Sequence, residues 1–307
     1  MAPRLIIIFA AVVCLVGCKP QQPAEIAWTA FSGERAYAHV NLLVSYGPHP
    51  SGSVALGRAA TYLSAQLQEA GLEAEEQVFV ASTPHGPMQF RNVVGHTPHS
   101  RGGEGTMVIL GSHYDTKWMT NCTFVGANDG GSSVGVLLEM ARVVAGTPNL
   151  WFVFFDGEEA IENYSPEDGL KGSRFYVETL KGERHLKWVK AMLLFDMVGD
   201  RSLNVTIPGN STPALVDQLF AAARTTGNRD YFAYRAMPML DDHVPFLDVG
   251  IPAIDIIDFE FGSAPGLNDY WHTDKDTLDK ISPRSLQIIG QTGLRLLDTV
   301  RRGQSLR

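Results

Sequence analysis

Acidic residues and histidines recur at one kind of place in this chain, directly after short apolar runs. Met107–Leu110 leads into Gly111-Ser112-His113-Tyr114-Asp115, Trp151–Phe155 into Asp156-Gly157-Glu158-Glu159, and Met192–Phe195 into Asp196. A Gly-rich stretch, Gly126-Ala127-Asn128-Asp129-Gly130-Gly131, precedes a helical pattern, and Tyr270-Trp271-His272-Thr273 follows the run at Ile251–Ile257. If each run is a strand, these groups gather at the carboxyl ends of an α/β sheet, where such sheets bind ligands. Carboxylates converging on one dry crevice repel one another unless a cation neutralises them, and a divalent metal is the simplest such cation. Asp129, Glu159 and His272 offer two oxygens and one imidazole nitrogen, a set that suits zinc with a fourth position open to substrate. Glu158, beside a ligand in sequence but directed elsewhere, is the natural general acid/base, because a partly desolvated carboxyl has its pKa raised toward the working range.

Other chemistries fit less well. Adjacent-histidine zinc signatures such as H-E-x-x-H are absent. Gly131-Ser132-Ser133-Val134-Gly135 matches the G-x-S-x-G elbow of serine hydrolases, but that elbow needs a strand directly before it. Here Asn121–Gly130 is polar and Gly-rich, so Ser132 or Ser133 is expected to cap the following helix instead. Cys122 lies in Thr120-Asn121-Cys122-Thr123 with no nearby histidine or helix start to activate it, and reads as a half-buried thiol.

The elements that must position these groups follow from periodicity. Helices are expected at Glu34–Ser45, Val54–Ala70, Ser133–Val144 and Pro213–Arg224, with a closing helix capped by Ser282, Pro283 at its first position, running to about Val300. The apolar runs, together with Val78–Val80, have the length of buried strands. Strands alternating with helices predict a single α/β domain with a mixed, mostly parallel β-sheet and helices on both faces.

Composition agrees: 45% hydrophobic and 19% charged residues are globular values that exclude a disordered chain. The net charge of −8, with no basic block, argues against a nucleic-acid partner and for small molecules or peptides. At the N-terminus, Leu5–Val16 is an apolar run too short to span a bilayer, and it closes on Leu15-Val16-Gly17-Cys18. That pattern resembles a bacterial lipobox. Residues 1–17 are therefore expected to be a signal peptide, 18–30 a tether acylated at Cys18, and 31–303 the catalytic domain. The expected location is the bacterial cell envelope, with the membrane contacted through lipidated Cys18 alone. After processing only Cys122 remains in the mature domain, which leaves no intrachain disulfide.

From about Phe31 to the C-terminal helix, His113-Tyr114-Asp115, Gly126-Ala127-Asn128-Asp129, Phe155-Asp156-Gly157-Glu158-Glu159-Ala160, Asp196-Met197 and His272-Thr273 together resemble the zinc-dependent M28 peptidase family. Three further features resemble its glutaminyl cyclase branch: Ser165-Pro166-Glu167-Asp168 leading to Gly172-Ser173-Arg174, Asp241-Asp242-His243-Val244-Pro245-Phe246, and Trp271 directly before His272. The resemblance implies one zinc on Asp129, Glu159 and His272, proton transfer by Glu158, an acidic network completed by Asp196 and Asp241, and Trp271 lining the substrate pocket. The implied reaction converts the N-terminal glutamine of a peptide or protein to pyroglutamate with release of ammonia. The α-amine attacks its own γ-amide, so neither an external nucleophile nor a second metal is needed. Tyr164 departs from the pattern, which has Trp before Ser-Pro, and so does the loop 259–270. Tyr164 thus reads either as a substrate-lining residue or as loop packing.

The rival reading is an M28-like aminopeptidase with two zincs, which hydrolyses N-terminal residues from peptides. Asp129 would bridge the metals, and His113 and Asp196 would complete the second site. Against it stands Asp241, since the resembled aminopeptidases usually carry Ser there. A binding module without chemistry is a third reading, opposed by the presence of all three ligands and Glu158. A monomer is expected.

Overall fold

In the computed structural model, which describes residues 24–98, 100, 103–165 and 167–303, the first elements are a 3₁₀ turn at Trp28–Ala30 and two helices, α1 (Gly33–Ser45) and α2 (Val54–Glu69). Ser32 and Ser53 start the helices: each hydroxyl accepts a hydrogen bond from the backbone N–H three residues on, a donor the helix itself leaves unpaired. A long hairpin follows, β1 (Glu73–Thr83) and β2 (Gly86–His96). Next come β3 (Met107–His113), α3 (Gly131–Val143), β4 (Leu150–Phe155), α4 (Lys171–Gly182) and β5 (Val189–Asp196). The chain continues through β6 (Val205–Pro208), α5 (Pro213–Thr225), β7 (Phe232–Arg235), α6 (Val244–Asp248), β8 (Ala253–Ile257) and α7 (Pro283–Arg302). Ser282 caps α7 with Pro283 in its first turn, as the sequence predicts.

Six strands form one mixed sheet in the order β1-β2-β4-β3-β5-β8. Pairing is antiparallel at β1–β2 and β2–β4 and parallel across β4, β3, β5 and β8. β6 and β7 form a separate parallel pair. Every residue of β3 and β5 is buried, yet the faces alternate. Val108, Leu110, Leu193 and Phe195 join a core covered by α1, α2, α3, α5 and α7, whereas Ile109, Met192 and Leu194 join a second core under α4 and α6. The expected α/β architecture, a mostly parallel sheet between helices, is the one observed.

The close approach of α3 to α1 depends on Gly135, where an added Cβ would sit 2.5 Å from the Ala36 carbonyl oxygen and 2.7 Å from a Val40 methyl. Gly135→Ala is expected to destabilise the fold by ~1–3 kcal/mol, read as a lowered urea midpoint. An unchanged midpoint would mean that the two helices separate freely.

Several local expectations are corrected. Val78–Val80 is the middle of an eleven-residue edge strand rather than a buried one, and Val78 and Val80 are 49% and 68% exposed. Only Phe79 between them turns inward. The last sheet strand covers Ala253–Ile257, two residues shorter than the apolar run. Ser132 and Ser133 do not cap α3: Gly130 occupies the cap position at φ +75°, and both serines lie buried inside the first turn. There, Ser132 Oγ donates to the Asn128 carbonyl (2.6 Å) and accepts from Val198 N–H (2.9 Å), which ties the start of α3 to the turn after β5.

The expected signal segment 1–17 and Cys18 lie outside the described residues. The expected tether through residue 30 is overturned from Ala24 onward. Ile26 is buried and its N–H donates to Asp298 on α7 (3.2 Å), while Arg301 bonds the Ala24 carbonyl. Two residues after Arg301, the Gly303 carbonyl accepts from Lys190 Nζ (2.5 Å) at the amino end of β5. The N-terminal segment therefore packs as part of the domain. Among the described residues, no helix is long and apolar enough to cross a membrane.

Candidate active site

The sheet register delivers the reactive groups. His113 at the end of β3 stands opposite Phe155 at the end of β4, and Asp196 closes β5, so His113, the Asp156–Glu159 turn and Asp196 emerge side by side. The loops that follow are held by buried carboxylates accepting backbone N–H groups. Asp115 receives those of Glu158 and Glu159 (3.3 Å each), and Asp276 those of Asn128 and Asp129 (2.7 and 3.0 Å). Gly130 allows close approach, since a Cβ there would lie 2.9 Å from the His113 ring. His272 adopts φ +54°, an uncommon conformation for a non-glycine residue, which places its ring against Trp271 (centroids 3.9 Å apart, 24° between planes).

These supports bring the expected ligands together. His272 Nε2 lies 2.9 Å from Glu159 Oε1 and 3.3 Å from Asp129 Oδ2, and one atom of each residue falls within 4.8 Å of the others. His113 Nε2 is 3.2 Å from both Asp129 Oδ1 and Asp196 Oδ1, a second group of three. Asp129 thus stands between two imidazoles, the relation that the aminopeptidase reading requires. Burial alone would lower both histidines, but Asp129 and Glu159 raise His272 to about 9, while Asp115, Asp129 and Asp196 hold His113 well above its ordinary value. Burial pushes Asp129 up, yet the two histidines outweigh it and keep the carboxyl ionised well below the usual range. The buried Asp129 Oδ2 receives no well-directed hydrogen bond, only the 3.3 Å approach of His272 Nε2. A buried oxygen so poorly satisfied, amid carboxylates that hold their neighbouring histidines protonated, fits a divalent cation such as zinc.

Glu158 does not turn away from Glu159 as expected. The Tyr164 hydroxyl lies 3.0 and 2.9 Å from the two Glu158 oxygens and 3.2 Å from Glu159 Oε2, so one phenol serves both carboxylates. Burial raises Glu158 well above the ordinary carboxylate range, aided by the charges of Glu159, Asp242 and Asp196. Tyr164 is thereby placed in the site, with its ring partly exposed and its hydroxyl deep. A cavity of about 180 Å³ opens over these groups, and Asp196, Asp241 and Trp271 line it. Phe259, from the departing loop, meets Trp271 edge to face at 5.1 Å and lines the same cavity. Asp241 is buried and held well above its ordinary value, first by desolvation and then by Asp255 and Asp196.

Sequence reasoning missed three parts of this site. Lys117 places its ammonium 3.7 Å from Glu159 Oε2 and 5.3 Å from the Tyr164 ring centre while bonding the Ala160 carbonyl. Its position two residues after Asp115 was the only available signal. The second is Asp276, an acid in a loop rich in acids. The third is Asp255, inside a run read as apolar: it lies buried behind Asp241 with Asp242 and His243, which the sequence offered only as part of a motif, and side-chain atoms of all three lack hydrogen-bond partners. Cys122, by contrast, is a free, half-buried thiol as expected.

Comparison with known proteins adds an independent line. The profile of peptidase family M28 matches residues 92–297. The crystal structure of an Acidobacteriales bacterium glutaminyl cyclase superposes with a TM-score of 0.82 at 36% identity, covering 93% of this chain and 98% of its own. A Zn-dependent exopeptidase from Parabacteroides distasonis gives a TM-score of 0.78 at 28% identity, with coverage of 89% and 99%. The glutaminyl-peptide cyclotransferase of Bothrops jararaca is 27% identical over 289 residues, spanning 78% of this chain and 76% of that protein.

Proposed function

Since this chain belongs to peptidase family M28, we propose that it is a glutaminyl-peptide cyclotransferase that converts the N-terminal glutamine of peptides to pyroglutamate and releases ammonia. The observation that carries this reading is Asp241, a buried carboxyl lining the cavity with Asp196 where a hydrolase of the family would have a smaller neutral group. The likeness to cyclases of known structure over most of the chain supports it.

In this reading, Asp196 holds the substrate α-amine and Trp271 packs on the methylenes of the glutamine side chain. Glu158, oriented by Tyr164, takes a proton from the amine as its nitrogen bonds to the carbonyl carbon of the γ-amide. The same carboxyl returns that proton to the departing amide nitrogen as the C–N bond breaks, so the balance closes with ammonia and a lactam. Asp129, Glu159 and His272 would hold the zinc, which would supply Lewis-acid polarisation of the γ-carbonyl. One ion suffices for this chemistry.

The grouping of His113 with Asp129 and Asp196 favours a second reading, the two-metal aminopeptidase. Metal counting separates the two. Protein dialysed against micromolar zinc is expected to retain one equivalent and to release ammonia from glutaminyl peptides, and Asp241→Ser is expected to impair that release. Two tightly held equivalents, with arylamine released from a leucyl arylamide, would hand the case to the aminopeptidase.

A further inference from the structure

Beside the reaction cavity runs a larger groove of about 730 Å³ between α4 and α6. The cavity itself, at about 180 Å³, falls below the ~300–1,000 Å³ of pockets that enclose a whole small ligand, so it admits one side chain. Tyr164 and Leu240 line both spaces and form the partition between them. The floor of the groove is apolar: Leu170 and Val177 are buried, and Val244 and Pro245 face them from α6. Its outer edge carries the exposed carboxylates of Asp248 and of Glu178, the latter in a surface ion pair with Lys181 (3.2 Å), whereas Arg174 is engaged on the Ser165 carbonyl.

We propose that this groove binds the residues that follow the N-terminal glutamine, favouring apolar side chains at the second and third positions and a basic one beyond. The inference rests on the cyclotransferase reading and extends it to the substrate class. Continuity is the argument. A peptide whose first side chain fills the cavity must carry its chain outward, and the groove begins at the very side chains that bound the cavity. An apolar floor recognises side chains of no fixed polar pattern, and the rim carboxylates attract positive charge at the far end, since the exposed pair of Glu178 with Lys181 is weak enough to exchange partners. Loss of α4–α6 complementarity should therefore change selectivity among peptides more than turnover of the shortest substrates.

The test compares kcat/KM for glutaminamide with that for Gln-Leu-Val-Lys, each followed by ammonia release. The wild type is expected to prefer the tetrapeptide by about tenfold, the scale of one well-buried apolar contact. Val244→Arg, which fills the groove, should bring that ratio back toward one. Glu178→Lys, at an exposed helix position where folding is not at stake, should lower the preference for Gln-Leu-Val-Lys over Gln-Leu-Val-Glu. A wild-type ratio near one, or variants that slow the amide and the tetrapeptide equally, would overturn the groove. If neither substrate loses ammonia, the cyclotransferase reading itself has failed, an outcome distinct from both.

Discussion

Glu158→Gln is expected to lower kcat by ~10²–10⁴ while zinc content stays at the wild-type level. The amide matches the carboxylate in size and can still accept the Tyr164 hydroxyl bond, so the cavity keeps its shape. What it loses is the ability to take up and return a proton. Glu158 is suited to that task because burial and the neighbouring acids raise its affinity for the proton, which brings the carboxyl closer to the working pH. Metal content, read by inductively coupled plasma analysis, guards the interpretation, because Glu159→Gln should instead deplete the metal through loss of a charged ligand. Near-normal kcat in a zinc-replete Glu158→Gln protein would remove Glu158 from the mechanism.

Zinc affinity is expected to rise about tenfold per pH unit up to about pH 9. Burial opposes the charge on His272, but Asp129 and Glu159 prevail and raise its pKa to about 9 in the metal-free protein. A metal ion needs the neutral imidazole, so below this value each unit fall in pH gives the proton a tenfold advantage in competition for the nitrogen. Above it the advantage vanishes and the affinity levels off. Chelator competition between about pH 6.5 and 8.5 should reveal on the order of a hundredfold gain. A flat profile would show that His272 is not a ligand or that its two carboxylates do not hold it protonated.

Much of this site could be read from the chain because its chemistry sits where buried strands stop. The runs ending at Leu110, Phe155 and Phe195 are apolar throughout, so the first polar residues after them had to lie at one edge of the sheet. β2 escaped notice because Arg91, Asn92 and His96 interrupt its pattern, and its register is set by pairing with β1, which no local periodicity records. α4 is hidden for a different reason: Leu170, in the left-handed region at φ 52°, stands at its N-cap with no side-chain cap, so no capping residue in the sequence marks where the helix starts. The roles of Asp115 and Asp276 depend on backbone N–H groups brought to them by the fold, and a carboxylate that serves the backbone looks in sequence like any other acid. The sharing of Tyr164 between Glu158 and Glu159 likewise needs the return of the chain at Asp168, whose carboxylate gathers the N–H groups of Ile161, Glu162 and Asn163.

The fastening of Ala24 and Ile26 to α7 also puts the start of the described chain on the side of the molecule away from the catalytic mouth. Those contacts lie by Gly303 and Lys190, at the amino end of β5, whereas the catalytic mouth opens at Asp196 on its other end, roughly 25 Å away for an eight-residue strand. Whatever holds the chain by residues before 24 therefore holds it by its base. An acyl group on Cys18 would set the protein down with its mouth turned outward, open to peptides arriving from solution.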